Sequence, residues 1–455
     1  MVLAGDTMLT RTLSPFSEPN YFALRDLIHG VDLAFANLET NVREIGEGAP
    51  VVTQGTPMTM TPDLLDELKW LGVNLIAVAN NHVGDYGPDG VAATARHLRA
   101  ARIAFAGCGA NMAGARAPGY KDTSAGRVGL VAATSRYKSG DRAGEQRRDI
   151  VGRAGINPLA YSSIYSVADQ DFEILNRLSR ELGLSKERER KRGQFFSDKE
   201  APKDSDDTIE FFGQKIRRAK TSNVHTVVNQ RDAEENLRWI REAKRQSDWV
   251  IFSFHNHEFG NAGRLTARTN IDLEEPADFV PDFARAAIDA GADIVAGHGP
   301  HLTLGIEIYK GKPILYSLGN FVLQNDTVRN VPSESYDRFD LGDDATPADF
   351  FDERTGNETR GFPAHKEFWE TFVAELEFTG RKLSTLRLHP VVLGFGKSRA
   401  QRGRPMLADG KAASDILERL SRLSKRFGTE IRVTGTTGEV VLDRATSGTQ
   451  GTRAR

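Results

Sequence analysis

The sequence predicts an α/β protein built around a parallel sheet. Apolar segments of strand length alternate with amphipathic helices, which is typical of strands joined by helical crossovers. Residues 73–79 (VNLIAVA) contain no regular polar alternation, as expected for a strand covered on both faces. Polar residues directly follow several apolar segments, at the sheet edge where such folds place their sites.

The first third of the chain supplies most of these alternating elements. A strand ends near residue 6, and a helix at 62–71 has Thr61 as its predicted cap, Pro62 at its first position and Gly72 just past its end. A second helix is predicted at 88–101. The remaining predicted strands of this part are 32–36, 73–79, 103–106 and 128–132.

The middle of the chain has a different character. Residues 186–192 (KERERKR) carry a charge at every position, and 197–207 are polar, so we expect 136–224 to be partly helix and partly solvated loop. The charged run itself is expected to be a solvated helical face.

The alternation resumes after residue 225. A helix is predicted at 232–246, with Asp232 and Glu235 as a capping pair and an apolar line along one face. The other elements are a helix at 278–290, strands at 249–254, 293–296 and 313–317, an antiparallel pair at 372–378 and 383–392, a helix at 413–427 and a hairpin near 431–442.

This pattern predicts a discontinuous core with additions. The core comprises 1–135 and 226–400, interrupted by a charged insertion at 136–225. Within the core, 325–368 is predicted to be an irregular loop region over the site. Residues 401–444 form a helix and hairpin packed on the core, and 445–455 a disordered tail.

Composition restricts the function classes. Lys and Arg number 60 and Asp and Glu 62, so no overall charge favours nucleic acid. Cys108 is the only cysteine, which excludes an intrachain disulfide and a cysteine-based metal site. No run of about 18 apolar residues predicts a membrane span. We expect a cytoplasmic protein as the sequence stands, and an exported or membrane-associated one if the natural start lies upstream.

Five short polar clusters follow apolar strands and are candidates for one shared site. Four of the ten histidines lie in two of these clusters, which chance makes rare. Carboxylate, amide and imidazole together suit one or two divalent ions such as Mn, Zn, Fe or Ni. The clusters are Gly5-Asp6, Asn37-Leu38-Glu39, Asn80-Asn81-His82, His255-Asn256-His257-Glu258 and Gly297-His298-Gly299-Pro300-His301.

The segments LAGDTML, FANLET, VANNHVGDYG and AGHGPHLTLGIEIYKGKPILYSLGNF resemble the CapA-type poly-γ-glutamate synthesis family. This family is a branch of the calcineurin-like metallophosphoesterase superfamily, and the similarity covers residues 1–135 and 226–325. The resemblance implies a metallophosphoesterase-like four-layer α/β/β/α sandwich with insertions.

The resemblance also implies a role for each matching residue. Asp6 would ligate the first metal, and Glu39 stands where the superfamily has a bridging carboxylate. His82 would be the catalytic histidine that is not a ligand, stabilising the transition state or protonating the leaving group. Of the remaining ligands, Asn81 and His255 would hold the second metal, and His298 and His301 would each hold one of the two ions.

The sequence departs from the superfamily at two places. Asp6-Thr7-Met8 replaces Asp-x-His, so one metal loses an imidazole; either His257 or Glu258 compensates, or the first site is weak. His255-Asn256-His257 replaces the His-Trp-Gly of many relatives. His257 is expected either as a ligand or as a hydrogen-bonding partner of one. Asn320 is expected to close the sheet behind the site or to face the substrate.

Three functions compete on this evidence. The first is a metal-dependent hydrolase in which metal-bound hydroxide attacks an amide or phosphoester bond of a small or peptide-like substrate. The second is an accessory role in poly-γ-glutamate capsule biosynthesis, in a membrane complex. The third is a non-catalytic binding module on a degenerate metallophosphoesterase fold.

Overall fold

The computed structural model describes residues 1–53, 55–192, 204–260 and 273–442. The predicted tail at 445–455 and most of the polar stretch 197–207 lie outside the described residues. The helices are α1 (Pro19–His29), α2 (Leu65–Trp70), α3 (Gly87–Ala100), α4 (Met112–Arg116), α5 (Asp169–Glu181), α6 (Leu184–Arg192), α7 (Gln230–Gln246), α8 (Phe279–Ala290), α9 (Ser333–Asp337), α10 (Pro347–Thr355) and α11 (Gly410–Ser424).

The strands follow the same chain order. They are β1 (Val2–Met8), β2 (Ala34–Leu38), β3 (Asn41–Val42), β4 (Thr59–Met60), β5 (Leu75–Ala77), β6 (Ala104–Ala106), β7 (Cys108–Gly109), β8 (Gly119–Thr123), β9 (Gly126–Thr134), β10 (Gly155–Ile156), β11 (Tyr161–Ala168), β12 (Thr208–Phe211), β13 (Gln214–Ala219), β14 (Asn223–Val228), β15 (Trp249–His255), β16 (Ile294–His298), β17 (Ile306–Tyr309), β18 (Lys312–Leu315), β19 (Asn320–Leu323), β20 (Glu370–Thr379), β21 (Lys382–Val392), β22 (Met406–Leu407), β23 (Ile431–Thr434) and β24 (Thr437–Val440).

The chain divides into two compact units. The first comprises Met1–Pro158, Asn236–His257 and Ala284–Arg455, and the second comprises Leu159–Glu235 and Glu258–Phe283. The predicted boundaries of the core and its additions stay a prediction.

The first unit contains two large mixed sheets. One has the order β23-β24-β21-β20-β1-β2-β5-β6, with β19 also paired to β1 and β22 to β21. The other has the order β17-β18-β16-β15-β9-β8. Each has a parallel centre, formed by β19-β1-β2-β5-β6 in the first and by β9-β15-β16-β18 in the second. The predicted α/β class is confirmed, but antiparallel pairs extend both sheets, since strands joined by short turns pair without a helical crossover.

One hydrophobic core connects the two sheets. Leu3 and Phe35 of the first sheet and Leu130 and Ile251 of the second are fully buried members of the same cluster. Leu417 of α11 belongs to this cluster too. Because each sheet turns an apolar face into a common core, the relative positions of their strand ends are fixed by packing.

The second unit contains a four-stranded sheet in the order β12-β13-β11-β14. The expectation of helix and loop for this part of the chain was therefore incomplete. These strands escape sequence analysis because they are mostly half-exposed and β13 (QKIRRA) carries three charges, so no clear apolar alternation marks them. Helix α6 has no buried residue, and this confirms the solvated helical face predicted for the charged run.

The two predicted helix caps differ from the structure in different ways. Thr61 lies at the predicted N-cap position, before a 3-10 turn at Pro62–Leu64, but its side chain makes no capping hydrogen bond. Helix α7 begins at Gln230, and Asn229 Oδ1 accepts a hydrogen bond of 3.0 Å from the Asp232 N–H. The helix starts two residues earlier than predicted because Asn229 is available as a cap. No helix within the described ranges is both long enough and apolar enough to cross a bilayer.

A close backbone contact fixes the end of β1. The Asp6 N–H donates a hydrogen bond of 2.9 Å to the Gly319 carbonyl, and a Cβ on Gly5 would lie 1.9 Å from that same oxygen. Only glycine allows the two chain segments to approach this closely.

We predict that Gly5→Ala lowers the free energy of unfolding by about 1–3 kcal/mol or more, because the new methyl group forces the two backbones apart. Denaturant unfolding measures the change. Gly140→Ala is the matched control, because a Cβ there meets nothing within 4 Å. Equal stability of the two variants would contradict the proposed close contact.

Candidate metal centre

The predicted site residues of the first unit converge where the parallel strands of both sheets end. Asp6 lies near the end of β1 and Glu39 directly follows β2. His255 and His298 are the last residues of β15 and β16 and are paired in register. The two sheets thus bring together residues almost 300 positions apart in the chain.

The first group of potential ligands is Asp6, His255 and His298. Their candidate ligand atoms all lie within 4.8 Å of one another. Asp6 Oδ1 is 3.6 Å from His255 Nδ1 and 3.4 Å from His298 Nδ1. All three side chains are fully buried.

The second group is Glu39, His257 and His301, whose candidate ligand atoms also lie within 4.8 Å of one another. His301 Nδ1 is 3.8 Å from Glu39 Oε2 and 3.5 Å from Asp6 Oδ2, so the two groups are adjacent. His255 Nε2 also faces this group, at 3.1 Å from His257 Nε2. Asn81 Oδ1 lies 2.7 Å from the same His255 nitrogen.

Neighbouring polar groups hold these side chains in place. The Asp6 carboxylate accepts hydrogen bonds from Asn37 Nδ2 at 2.8 Å and from the Gly299 N–H at 2.9 Å. His298 Nε2 is 2.7 Å from Ser253 Oγ, which leaves Nδ1 for the centre. Asn37 stood in one of the polar clusters without a role of its own, and nothing in the sequence singled out Ser253.

Asn320 lies against His301. Its Oδ1 is 2.9 Å from His301 Nδ1, and its Nδ2 donates to the carbonyls of His301 and Phe368 at 3.2 and 2.9 Å. Asn320 is buried, so its contacts are those of a positioning residue. The prediction that it faces the substrate stays a prediction.

Glu258 lies in the second unit and in neither ligand group found among the described residues. Its side chain is buried and its backbone carbonyl accepts a hydrogen bond of 3.2 Å from the Ala277 N–H. Of the two residues expected to compensate for the missing imidazole, His257 is the one found beside the other candidate ligands.

Glu39 is the least satisfied group of the centre. Its side chain is fully buried, and neither carboxylate oxygen accepts a hydrogen bond from any described residue. Burial raises its pKa well above the ordinary value, and the nearby carboxylates of Asp6 and Asp85 raise it further. An ionised carboxylate in this position requires a positive partner.

The imidazoles of His255, His257 and His301 provide no such charge. Burial lowers the pKa of His255 to about 4, despite the opposing effect of Asp6, and lowers the pKa of His257 and His301 as well. Burial tends to raise the pKa of Asp6, but its contacts with His255 and His298 bring it well below its usual value. Neutral imidazoles keep a ring-nitrogen lone pair free for a metal. Two carboxylates beside neutral imidazoles thus fit divalent cations.

His82 is oriented by a residue that the sequence analysis missed. His82 Nδ1 lies 2.6 Å from Asp85 Oδ2, and its Nε2 is 3.9 Å from Glu39 Oε1. Asp85 also accepts hydrogen bonds of 2.9 Å from Lys138 Nζ and from the Met58 N–H. The spacing of His82 and Asp85 was a usable signal, because residues three apart in a turn or helix can face each other.

A cavity of about 530 Å³ opens onto this centre. Asn81, His82, His257 and His301 line it from the side of the candidate ligands. The cavity is large enough to accept a small-molecule or peptide-like ligand.

The comparison with protein families fits this geometry. The sequence model of the family described as "Bacterial capsule synthesis protein PGA_cap" matches residues 1–325. The chain belongs to this family. The resemblance recognised from the sequence motifs is therefore confirmed.

Three individual relatives differ in how much of the chain they match and in what their names say. The chain is 34% identical to "Uncharacterized protein y4sH" of Sinorhizobium fredii, over 97% of this chain and 93% of the relative. It is 29% identical to a "Probable polyglutamine synthesis accessory protein" of Mycobacterium tuberculosis, over 64% of this chain and 55% of the relative. It is 39% identical to "PGA biosynthesis protein CapA" of Bacillus subtilis, over 22% of this chain and 24% of the relative.

We predict that Asp85→Asn destabilises the protein by about 1–3 kcal/mol at pH 7, because the Lys138 ammonium and the His82 imidazole lose a buried carboxylate. Burial alone would raise the pKa of Asp85, but His82 and Lys138 lower it below its ordinary value. Its stabilising effect is therefore complete above about pH 3.9, the unfolded value, and is lost as the pH falls through the folded-state pKa.

Denaturant unfolding across this pH range measures the effect. Asp149→Asn, which removes an exposed carboxylate 3.1 Å from Arg147, is the matched control and is expected to change stability by less than about 0.5 kcal/mol. An Asp85→Asn effect no larger than the control would show that the contact contributes nothing.

Proposed function

We propose that this PGA_cap protein acts in the synthesis or processing of a polyglutamate-type polymer, through metal-dependent hydrolysis at the centre described above. The first half of the proposal is supported by family membership and by the names of two relatives, which refer to PGA biosynthesis and to polyglutamine synthesis. The observation that carries the second half is the buried Glu39 carboxylate, which has no hydrogen bond among the described residues and is surrounded by potential ligands.

We assign the two ligand groups to two ions. Asp6, His255 and His298 would hold one ion, and Glu39, His257 and His301 the other. This assignment places His255 with Asp6, whereas the family resemblance paired it with Asn81. His257 then replaces the imidazole that the Asp-x-His motif would have supplied. Asn81 Oδ1, beside His255, remains a further oxygen ligand.

Divalent ions at these positions would activate water and stabilise developing negative charge. The remaining steps belong to the side chains of this chain. Asp85 accepts a hydrogen bond from His82 Nδ1 and thereby fixes the ring so that Nε2 faces the centre. In that orientation His82 Nε2 can hold a proton and deliver it to the leaving group. The cavity above the centre would bind the rest of the substrate.

The finer fold assignment is also a proposal. Two sheets that share one core, with helices in the same unit, support the four-layer α/β/β/α sandwich of metallophosphoesterases. Asn325, Arg354 and Phe362 line the cavity, which supports the prediction that 325–368 forms a wall over the site.

The metal centre is tested with Glu39→Gln. Without metal, we expect the variant to be at least as stable as the wild type, because an amide avoids the cost of ionising a buried carboxyl group that has no compensating partner among the described residues. With Mn²⁺ the order should reverse, since an ion at about 100 times its Kd stabilises the native state by roughly 2.7 kcal/mol. Thermal unfolding with and without Mn²⁺, and metal content by mass spectrometry, measure both effects.

Glu44→Gln, an exposed position, is the control and should behave as the wild type in both conditions. Equal metal content and equal Mn²⁺ stabilisation in wild type and Glu39→Gln would contradict the assignment of Glu39 as a ligand. Failure of the wild type to retain any added metal would favour the non-catalytic binding module.

The reaction is tested by a substrate screen. Phosphoesters and γ-glutamyl amides are offered to the full chain with Mn²⁺, Zn²⁺ or Ni²⁺. For the substrate that reacts, we expect His82→Ala to lower kcat by about 10²–10⁴-fold, the usual contribution of a general acid. His29→Ala, at an exposed histidine, is the control. A metal-loaded chain that cleaves neither class would leave polymer binding, without hydrolysis, as the function.

A further inference from the structure

The cavity above the metal centre has an asymmetric charge. Among the described residues, three cationic side chains line it, those of Arg136, Lys138 and Arg354, against a single acidic one, Asp85. Lys138 and Asp85 already form an ion pair with Nζ 2.9 Å from Oδ1. Arg136 and Arg354 thus remain as positive charges facing the cavity.

Arg354 is the more constrained of these two arginines. It lies in the last turn of α10, is half-buried, and its Nη1 donates a hydrogen bond of 2.7 Å to Thr56 Oγ1, a neutral acceptor. No carboxylate of the described residues lies within ion-pair distance of its guanidinium. A half-buried guanidinium normally has an anionic partner, because its desolvation is otherwise uncompensated.

A second arginine lies near Arg354. Arg338 Nη2 donates a hydrogen bond of 2.8 Å to the Thr53 carbonyl, next to the same cavity. Burial lowers the pKa of Arg354, and the nearby Arg338 guanidinium lowers it further. Arg354 therefore lies on the cavity wall with a like charge nearby.

A purely structural role explains this arrangement poorly. The buried Arg402, in contrast, pairs with two carboxylates of residues 325–368, those of Asp326 and Glu358. Arg354 instead makes one neutral hydrogen bond and lies 5.9 Å from the Phe350 ring. Most of its donor capacity remains free to face the cavity.

We propose that Arg354, oriented by Thr56, binds an oxyanion of the substrate, a carboxylate or a phosphate, while the bond to be cleaved lies at the metal centre. Arg354 would thus determine specificity for anionic substrates without taking part in the reaction. A planar guanidinium suits such groups because it can donate two parallel hydrogen bonds to one oxyanion. The location of the reacting bond rests on the proposed function, but anion binding by Arg354 does not.

The test is a calorimetric titration of the full chain, loaded with Mn²⁺, at low ionic strength. Inorganic phosphate and glutarate are the two anionic probes, and glutaramide is the uncharged counterpart of glutarate. We expect the wild type to bind at least one anion and to bind glutaramide at least about tenfold more weakly than glutarate. The anion that binds more tightly, phosphate or glutarate, shows whether the site prefers a phosphate or a carboxylate group.

Three variants locate the binding. Arg354→Gln should weaken the affinity for the preferred anion by about tenfold or more. Arg354→Lys should weaken it by less, because lysine keeps the positive charge but lacks the two parallel donors of a guanidinium. Arg329→Gln, at an exposed arginine of the same segment that does not line the cavity, should bind as the wild type does. A thermal unfolding curve for each variant confirms that it is folded.

Unchanged affinity in folded Arg354→Gln would overturn the proposal, because the metal centre or another cation would then hold the anion. Absence of anion binding in the wild type would overturn it as well. Neither result depends on turnover. Failure of the substrate screen would count against hydrolysis while leaving this titration able to support or reject the anion site.

Discussion

Two buried carboxylates, Asp6 and Glu39, are the constraint on which the rest of this site depends. Both have no exposed surface, and their oxygens face imidazoles that burial keeps neutral. Asp6 receives two hydrogen bonds, one from Asn37 and one from a backbone N–H, whereas Glu39 receives none from the described residues. Buried charge of this kind is retained only where something compensates it. A cation is the compensation that the surrounding ligand atoms can accept.

The fold makes this arrangement possible by fixing two sets of strand ends. The parallel centres of the two sheets end at the same place because the sheets share one apolar core. Glycines allow the connecting segments to come close enough. Gly299, at a φ of +115°, donates to Asp6, and a Cβ on it would lie 2.3 Å from the Asn256 carbonyl. The glycine contacts and the shared core thus act together to position the Asp6 carboxylate.

Family membership and site geometry answer different questions about this protein. The names of two relatives describe a process, PGA biosynthesis in one and polyglutamine synthesis in the other, and the second is called an accessory protein. The candidate metal centre bears on the type of reaction, and the cavity beside it bears on the type of ligand. A protein can be an accessory to polymer synthesis and still cleave a bond, for example to trim or release a chain. The cationic wall formed by Arg136 and Arg354 is consistent with an anionic polymer in either role.

The sequence by itself determined the α/β class, most of the helices and central strands, the family and the clusters that hold the candidate ligands. Those signals are local, because apolar segments of strand length and the polar residues that follow them are contiguous in the chain. Val73 to Ala79 and the two His-rich clusters needed no knowledge of distant residues. The same reasoning missed β11 to β14, where half-exposed and charged residues hide the strand pattern.

Only the tertiary structure decided how the candidate ligands group and what holds them. His257 joins Glu39 and His301, Asp85 orients His82, and Ser253 fixes His298 through contacts between different strands and loops. The position of Arg354 on the cavity wall is likewise visible only in the structure, because no sequence pattern marks the cavity. Each of these relationships depends on distances of a few ångströms between residues far apart in the chain. Such distances are set by the packing of the two sheets, and a local sequence pattern contains no information about them.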